Sequence, residues 1–138
     1  MTIYFGTNRE PDVHSKPTRF GSRINSRLPG ELRFGTARIV GDAVQIDVAR
    51  ETARGGVLKL MPQDNVFEQL RQTMVANPGT DILVFVHGYN VSFDEAIRDA
   101  AAICQAYTDA STSQAKTYVP FVFSWPSDGN LLPYRAYY

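Results

Sequence analysis

The sequence predicts an α/β fold with a largely parallel sheet, and three observations carry that prediction. Ile82-Leu83-Val84-Phe85-Val86 is apolar at every position. A strand wet on one face alternates, so an unbroken run predicts a strand covered on both faces, as in a parallel sheet. A capped amphipathic helix follows from Ser92, and a second β-rich run, Tyr118 to Trp125, follows the helix and stops at Pro126. Strand, helix and strand in this order make a right-handed βαβ unit.

The elements before that unit are read in turn, within one domain spanning residues 1–138. Residues 1–33 read as a mostly irregular lead-in: after a short apolar start, Ile3 to Phe5, they hold Pro11, Pro17, Pro29, Gly21 and Gly30 among polar residues, the composition of a long loop. Residues 34–80 read as a hairpin plus a helix. Phe34 to Val40 and Val44 to Val48 flank Gly41-Asp42, and Val44, Ile46 and Val48 alternate with Gln45 and Asp47, the period of a half-buried strand. Val57 to Leu60 adds a short strand after Gly55-Gly56. Asn65 with Glu68 three residues on matches a capping box, and Phe67, Leu70 and Met74 recur at helical spacing up to the stop at Asn77-Pro78-Gly79. Residues 81–138 hold the βαβ unit. Its helix has Ser92 as N-cap and Glu95 to close the box, and Asp94 and Glu95 face the positive end of the dipole. The apolar stripe is Phe93, Ile97, Ala100, Ala101 and Cys104.

Composition narrows the function classes. With Lys plus Arg at 14 and Asp plus Glu at 14, no net field draws in nucleic acid or anionic membrane. The six basic residues Lys16, Arg19, Arg23, Arg27, Arg33 and Arg38 face one acid, Glu31, over 16–38. They read as a solvated, snorkelling run before a phosphate- or RNA-binding face. Cys104 is the single cysteine, so no internal disulfide forms, and no Cys and His cluster has metal-ligand spacing. No signal peptide and no membrane-length apolar run is visible, which makes a reducing, cytoplasmic setting the expectation.

The chemistry is expected at the turn His87-Gly88-Tyr89-Asn90. Ligands of open α/β sheets bind beyond the carboxyl ends of strands, where backbone amides and helix N-termini gather. Gly88 lets the backbone turn and leaves room for a ligand to approach. The N–H groups of Tyr89 and Asn90 suit an oxyanion, the charge that develops when an acyl carbonyl is attacked.

Val84-Phe85-Val86-His87-Gly88-Tyr89-Asn90, Ser92-Phe93-Asp94-Glu95-Ala96 and Phe123-Ser124-Trp125-Pro126-Ser127 together resemble an uncharacterised bacterial α/β-hydrolase family, a domain of unknown function. Tyr4-Phe5-Gly6-Thr7-Asn8-Arg9 and Arg33-Phe34-Gly35-Thr36-Ala37-Arg38 resemble its N-terminal region more softly. The resemblance implies an incomplete α/β-hydrolase sheet, with an oxyanion hole supplied by His87, Gly88, Tyr89 and Asn90. It implies a serine-hydrolase-type, esterase- or lipase-like activity on a small ester or acyl substrate, with no cofactor. The nucleophile of such enzymes sits in a later Gly-x-Ser-x-Gly elbow, followed by an acid and a histidine. That elbow does not occur among these 138 residues, so none of the triad is expected within them, and the chain alone is expected to be inactive.

Remaining candidates are weighed against plainer roles. His87 reads as a residue that holds the turn through a ring hydrogen bond before it reads as a base. His14 reads as incidental and Cys104 as an inert core thiol. Ser124 and Trp125 sit at a strand end where α/β folds line substrate sites, yet Ser124 and Ser127 suit turn-capping and packing better than nucleophilic work. In the hydrolase strand order, Ile82–Val86 would lie beside the nucleophile strand and is left as an edge without it. Seven of 16 aromatics fall at 118–138. These features support an alternative function: a non-catalytic interaction module that self-associates through the exposed edge and the aromatic C-terminus.

Overall fold

A computed structural model describes residues 1–25, 32–54, 57–60, 65–111 and 116–127. Arg27 and Glu31 of the basic segment and the aromatics Tyr134, Tyr137 and Tyr138 lie outside the described residues. The elements run β1 Ile3–Thr7, β2 Arg9–Pro11, β3 Phe20–Ile24, β4 Arg33–Val40, β5 Ala43–Val48, β6 Glu51–Arg54, β7 Val57–Leu60, α1 Val66–Ala76, β8 Thr80–Val86, α2 Phe93–Ala110 and β9 Thr117–Ser124. A five-stranded mixed sheet has the order β5-β4-β1-β9-β8, beside two-stranded pairs β2-β3 and β6-β7. β8 and β9 are parallel and register Thr80 with Thr117 through Val86 with Phe123. β1 continues the parallel set, with Tyr4 on Phe121 and Thr7 on Ser124.

The α/β class and the parallel β8–α2–β9 unit are as the sequence predicts. The hairpin is also found: β4 and β5 pair antiparallel from Gly35–Val48 to Val40–Ala43. Gly41 takes the left-handed φ of +57° that the tight turn needs. α2 starts with a complete capping box, Ser92 N–H donating to Glu95 Oε2 at 2.8 Å and Glu95 N–H to Ser92 Oγ at 3.2 Å. α1 builds only half of one. Asn65 Oδ1 accepts from Phe67 N and Glu68 N, while the Glu68 carboxylate turns to Arg71 at 2.6 and 2.8 Å.

The two helices cover opposite faces of the sheet. α2 lays Phe93, Ala96, Ile97 and Ala100 on Ile3, Phe5, Ala37 and Val122, with Phe20 closing the cluster. Its alanines let the helix lie close to the strands. Phe5, Phe20 and Phe93 meet edge to face or tilted at 5.0–5.8 Å, geometries that suit the ring quadrupole. α1 packs Val66 and Leu70 on Tyr4 and Ala49, with Phe34, Val119 and Phe121 alongside.

Two expectations are corrected. The lead-in over 1–33 is not mostly irregular: it holds β1, β2 and β3, and β1 is the central strand, buried along its whole length. Ile3 and Phe5 face α2 while Tyr4 faces α1, so β1 is covered on both sides, as is β9 through Val122 and Phe121. The apolar run of β8 lies at the sheet edge, as the hydrolase strand order implies, but it is covered on one face rather than two. α1 lies over β4, β1 and β9, with Phe67 against Phe34 and Phe121, and leaves β8 bare on that side. Ile82, Val84 and Val86 are therefore exposed, Val84 by 64% and Val86 by 58%. Among the described residues no helix is long and apolar enough to cross a membrane, and no group of three or more His, Cys, Asp or Glu could hold a metal ion.

Candidate active site

The parallel strands β1, β9 and β8 end together, Thr7 beside Ser124 and Val86 beside Phe123. Their C-terminal extensions are thereby gathered at one rim: Asn8-Arg9 from β1, Trp125 to Ser127 from β9, and His87 to Val91 from β8. α2 begins at the same place, so its dipole adds positive potential there.

The turn takes its shape from Asn90 rather than from Gly88. Asn90 has φ +64°, a left-handed conformation that asparagine tolerates better than most residues. Gly88 is not in that region, and a Cβ added to it would meet nothing within 4 Å. Gly41 and Gly79 are equally open, but their positive φ values explain them. Neither backbone strain nor internal packing requires a glycine at 88. Tyr89 is 39% exposed on the same turn.

Beneath the turn lies a buried polar network centred on Arg9, which is 1% exposed. Its Nε donates to Ser124 Oγ at 2.9 Å. Nη1 donates to the carbonyls of Gly21 and Ser127, both at 3.1 Å. Nη2 donates to the Val91 carbonyl at 2.7 Å and lies 3.3 Å from His87 Nε2. Thr7 Oγ1 donates to the Ser124 carbonyl at 2.6 Å and accepts the Arg9 backbone N–H at 3.1 Å. Ser127 Oγ accepts from Val91 N at 3.2 Å. Trp125 stacks on His87 at 5.2 Å and donates its indole N–H to the His87 carbonyl at 3.0 Å. Burial brings the Arg9 guanidinium down to about 10, which leaves it a cation at neutral pH.

His87 and Ser124 lie within hydrogen-bond reach, Ser124 Oγ 3.2 Å from Nε2. That is the separation of a nucleophile and its base, but the surroundings are wrong for one. Both side chains are buried. The remaining ring nitrogen, Nδ1, is 2.7 Å from the Gly88 carbonyl rather than a carboxylate. Burial first, and then the Arg9 charge, depress the His87 pKa against the opposing hydrogen bond to Gly88. This pair ties strands together.

The expected site residues His87, Gly88, Tyr89 and Asn90 are thus one turn at the sheet's carboxyl rim. Of the two expected lining residues, Trp125 is half-buried under the turn, whereas Ser124 is fully buried within the Arg9 network. Sequence reasoning missed Thr7 and Arg9 as members of this cluster, whereas Ser127 holds the turn as its expected capping role suggests. The signal for the missed pair is the Thr7-Asn8-Arg9 segment, which carries a family resemblance but suggests no chemistry by itself. Cys104 is a free, buried thiol donating to the Tyr118 carbonyl at 3.3 Å, and burial pushes its pKa up, the state of an inert core cysteine. His14 packs on Arg33, its carbonyl accepting from Nη1 at 3.1 Å.

Comparison with known proteins returns one family. Its model, described as an alpha/beta hydrolase of unknown function (DUF900), matches residues 63–137, more than half of the chain and the whole β8–α2–β9 unit. No curated protein and no solved structure matches the chain.

Proposed function

The chain belongs to this alpha/beta-hydrolase family of unknown function, and on that premise we propose that the turn His87–Asn90 is the oxyanion-stabilising part of a serine-hydrolase-type site for an ester or related acyl substrate. Tyr89, or its neighbour Asn90, donates a backbone N–H to the oxyanion. The nucleophile, acid and base come from a Gly-x-Ser-x-Gly elbow and later residues that are not among these 138. The observation that carries the reading is Gly88. It is a glycine without a positive φ, with open space where its Cβ would be, at the carboxyl rim where α/β sheets bind ligands. Room for a substrate to approach the backbone accounts for it.

The test is Gly88→Ala. Folding stability is expected to stay the same or rise by up to about 1 kcal/mol, because alanine fits the conformation and restricts the unfolded chain. In the gene's full product, with its elbow present, kcat for an activated ester is expected to fall by about 10²-fold or more, the scale of losing one oxyanion donor. Unchanged kcat in that variant rules this reading out. The 138-residue chain alone is expected to show no saturable hydrolysis.

A second reading has one observation in its favour, the bare face of β8 at Ile82, Val84 and Val86. In it the chain is a non-catalytic module and a second copy pairs along this edge. Sedimentation equilibrium then returns a dimer that Val84→Lys dissociates. A monomer at all concentrations removes this reading.

A further inference from the structure

We infer that Arg9 is the positioning residue of the His87–Val91 turn, fixing the His87 tautomer and tying the Val91 carbonyl so that Gly88–Asn90 between them keeps one conformation. The significance of that turn rests on the acyl-hydrolase reading; the geometry of the clamp does not.

A guanidinium carries five N–H donors and no acceptor. Arg9 directs them at five acceptors: Ser124 Oγ, the Gly21, Ser127 and Val91 carbonyls, and His87 Nε2. All five acceptors are uncharged, so this cation is held by satisfaction of its fork rather than by an ion pair. The same Nη2 serves both ends of the turn, His87 at 3.3 Å and Val91 at 2.7 Å. Its root is equally fixed, since the Arg9 N–H bonds Thr7 Oγ1, which bonds the Ser124 carbonyl.

The partners also dictate where the imidazole proton sits. Arg9 can only donate, so His87 Nε2 must accept. The Gly88 carbonyl can only accept, so Nδ1 must carry the proton. The Ser124 hydroxyl takes Arg9 Nε–H on its oxygen and turns its own hydrogen toward Nε2. Lysine has the charge but a single ammonium in place of the planar fork, and it cannot reach Ser124, Ser127 and Val91 from one fixed plane.

The experiment is a long-range ¹H–¹⁵N correlation spectrum of the labelled 138-residue chain. The chain has two histidines, and His14→Gln assigns the signals. His87 is expected as a single Nδ1–H tautomer. In Arg9→Lys, with the amide signals of the β4–β5 hairpin unshifted, His87 is expected to lose that single tautomer. The Gly88, Tyr89 and Asn90 amides are expected to shift or broaden. A folded Arg9→Lys chain with the tautomer and the turn amides unchanged overturns the inference. If that variant unfolds, the wild-type spectrum decides, because an Nε2–H tautomer there overturns it directly. No step needs turnover. A held tautomer alongside a harmless Gly88→Ala removes the hydrolase reading and leaves this inference standing, and the reverse pattern does the opposite.

Discussion

Replacing Ser124 with alanine separates a buried tie from a nucleophile by the sign of its effect on stability. Ser124 Oγ accepts the Arg9 Nε–H at 2.9 Å and lies 3.2 Å from His87 Nε2, with the side chain fully buried. Ser124→Ala changes the volume little, and the Thr7 bond to the Ser124 carbonyl is a backbone contact that survives. The cost is therefore polar. A charged donor left without its acceptor loses about 1.5–3 kcal/mol, and the hydroxyl's bond to the imidazole adds about 0.5–1.5 kcal/mol. We expect a loss of about 2–4.5 kcal/mol, which for a domain of this size lowers Tm by roughly 6–16 °C. Against a total stability of about 5–15 kcal/mol the loss is large. Urea unfolding reads it well, because the single tryptophan, Trp125, stacks on His87 and reports from inside the network. A midpoint that falls with an unchanged slope is the expected result. Catalytic serines are typically held at some cost to stability, so their removal leaves it unchanged or raises it. Equal or greater stability for Ser124→Ala would refute a structural role for the pair.

Two further outcomes test the fold and its electrostatics. Gly35→Ala places a Cβ 2.5 Å from the Asp47 carbonyl and 2.6 Å from the Phe5 ring; both neighbours are fixed, so a loss of about 3 kcal/mol is expected in the same urea assay. His87 has a depressed folded pKa, so below its unfolded value of about 6.5 the unfolded state binds more protons. Stability should be full above that pH and fall as pH drops below it, by up to about 1.4 kcal/mol per unit until the folded pKa is passed. Urea midpoints at pH 7.5 and 5.5 check the sign, and a flat profile contradicts the buried neutral imidazole.

Features decided by neighbours in the chain were legible in the sequence. The Gly41-Asp42 turn, the alternation of β5 and the Ser92–Glu95 box are local chemistry, and each is found where the pattern puts it. β1 was not legible as the central strand because its apolar start gives way to Gly6 and Thr7, and its parallel partner β9 lies more than 100 positions away. The β2–β3 pair hides behind Pro11, Pro17 and Gly21, which read as loop. The segment between them is nonetheless organised by one side chain. Asp12 Oδ1 accepts from the backbones of Val13, Thr18 and Arg19, and Oδ2 from the Thr18 hydroxyl, bonds that draw its pKa well down. For β8, an unbroken apolar run records the chemistry of a strand without recording which face a helix reaches. Arg9 was the deepest miss. Nothing local marks an arginine between Asn8 and Glu10 as buried, because four of its five acceptors stand 78 to 118 residues away.

That buried cation also constrains where catalysis can originate. For His87 to act as a base toward Ser124, its ring must become imidazolium with Arg9 Nη2 at 3.3 Å. Burial of the ring opposes that charge first, and the like charge of Arg9 opposes it further. The hydrogen bond from Nδ1 to Gly88 favours the charged ring but does not reverse the net downward shift. The cluster therefore opposes proton transfer at its own histidine while holding that histidine neutral and oriented. Those two properties are incompatible with a Ser–His catalytic pair. They are compatible with a rigid support beneath the turn, whose backbone is then free to meet charge brought from elsewhere. The family match covers the turn and not Arg9, so the support is assembled from the β1–β2 segment and the β8–α2–β9 unit together. A fragment holding only the matched residues 63–137 would carry the turn without the residue that fixes it.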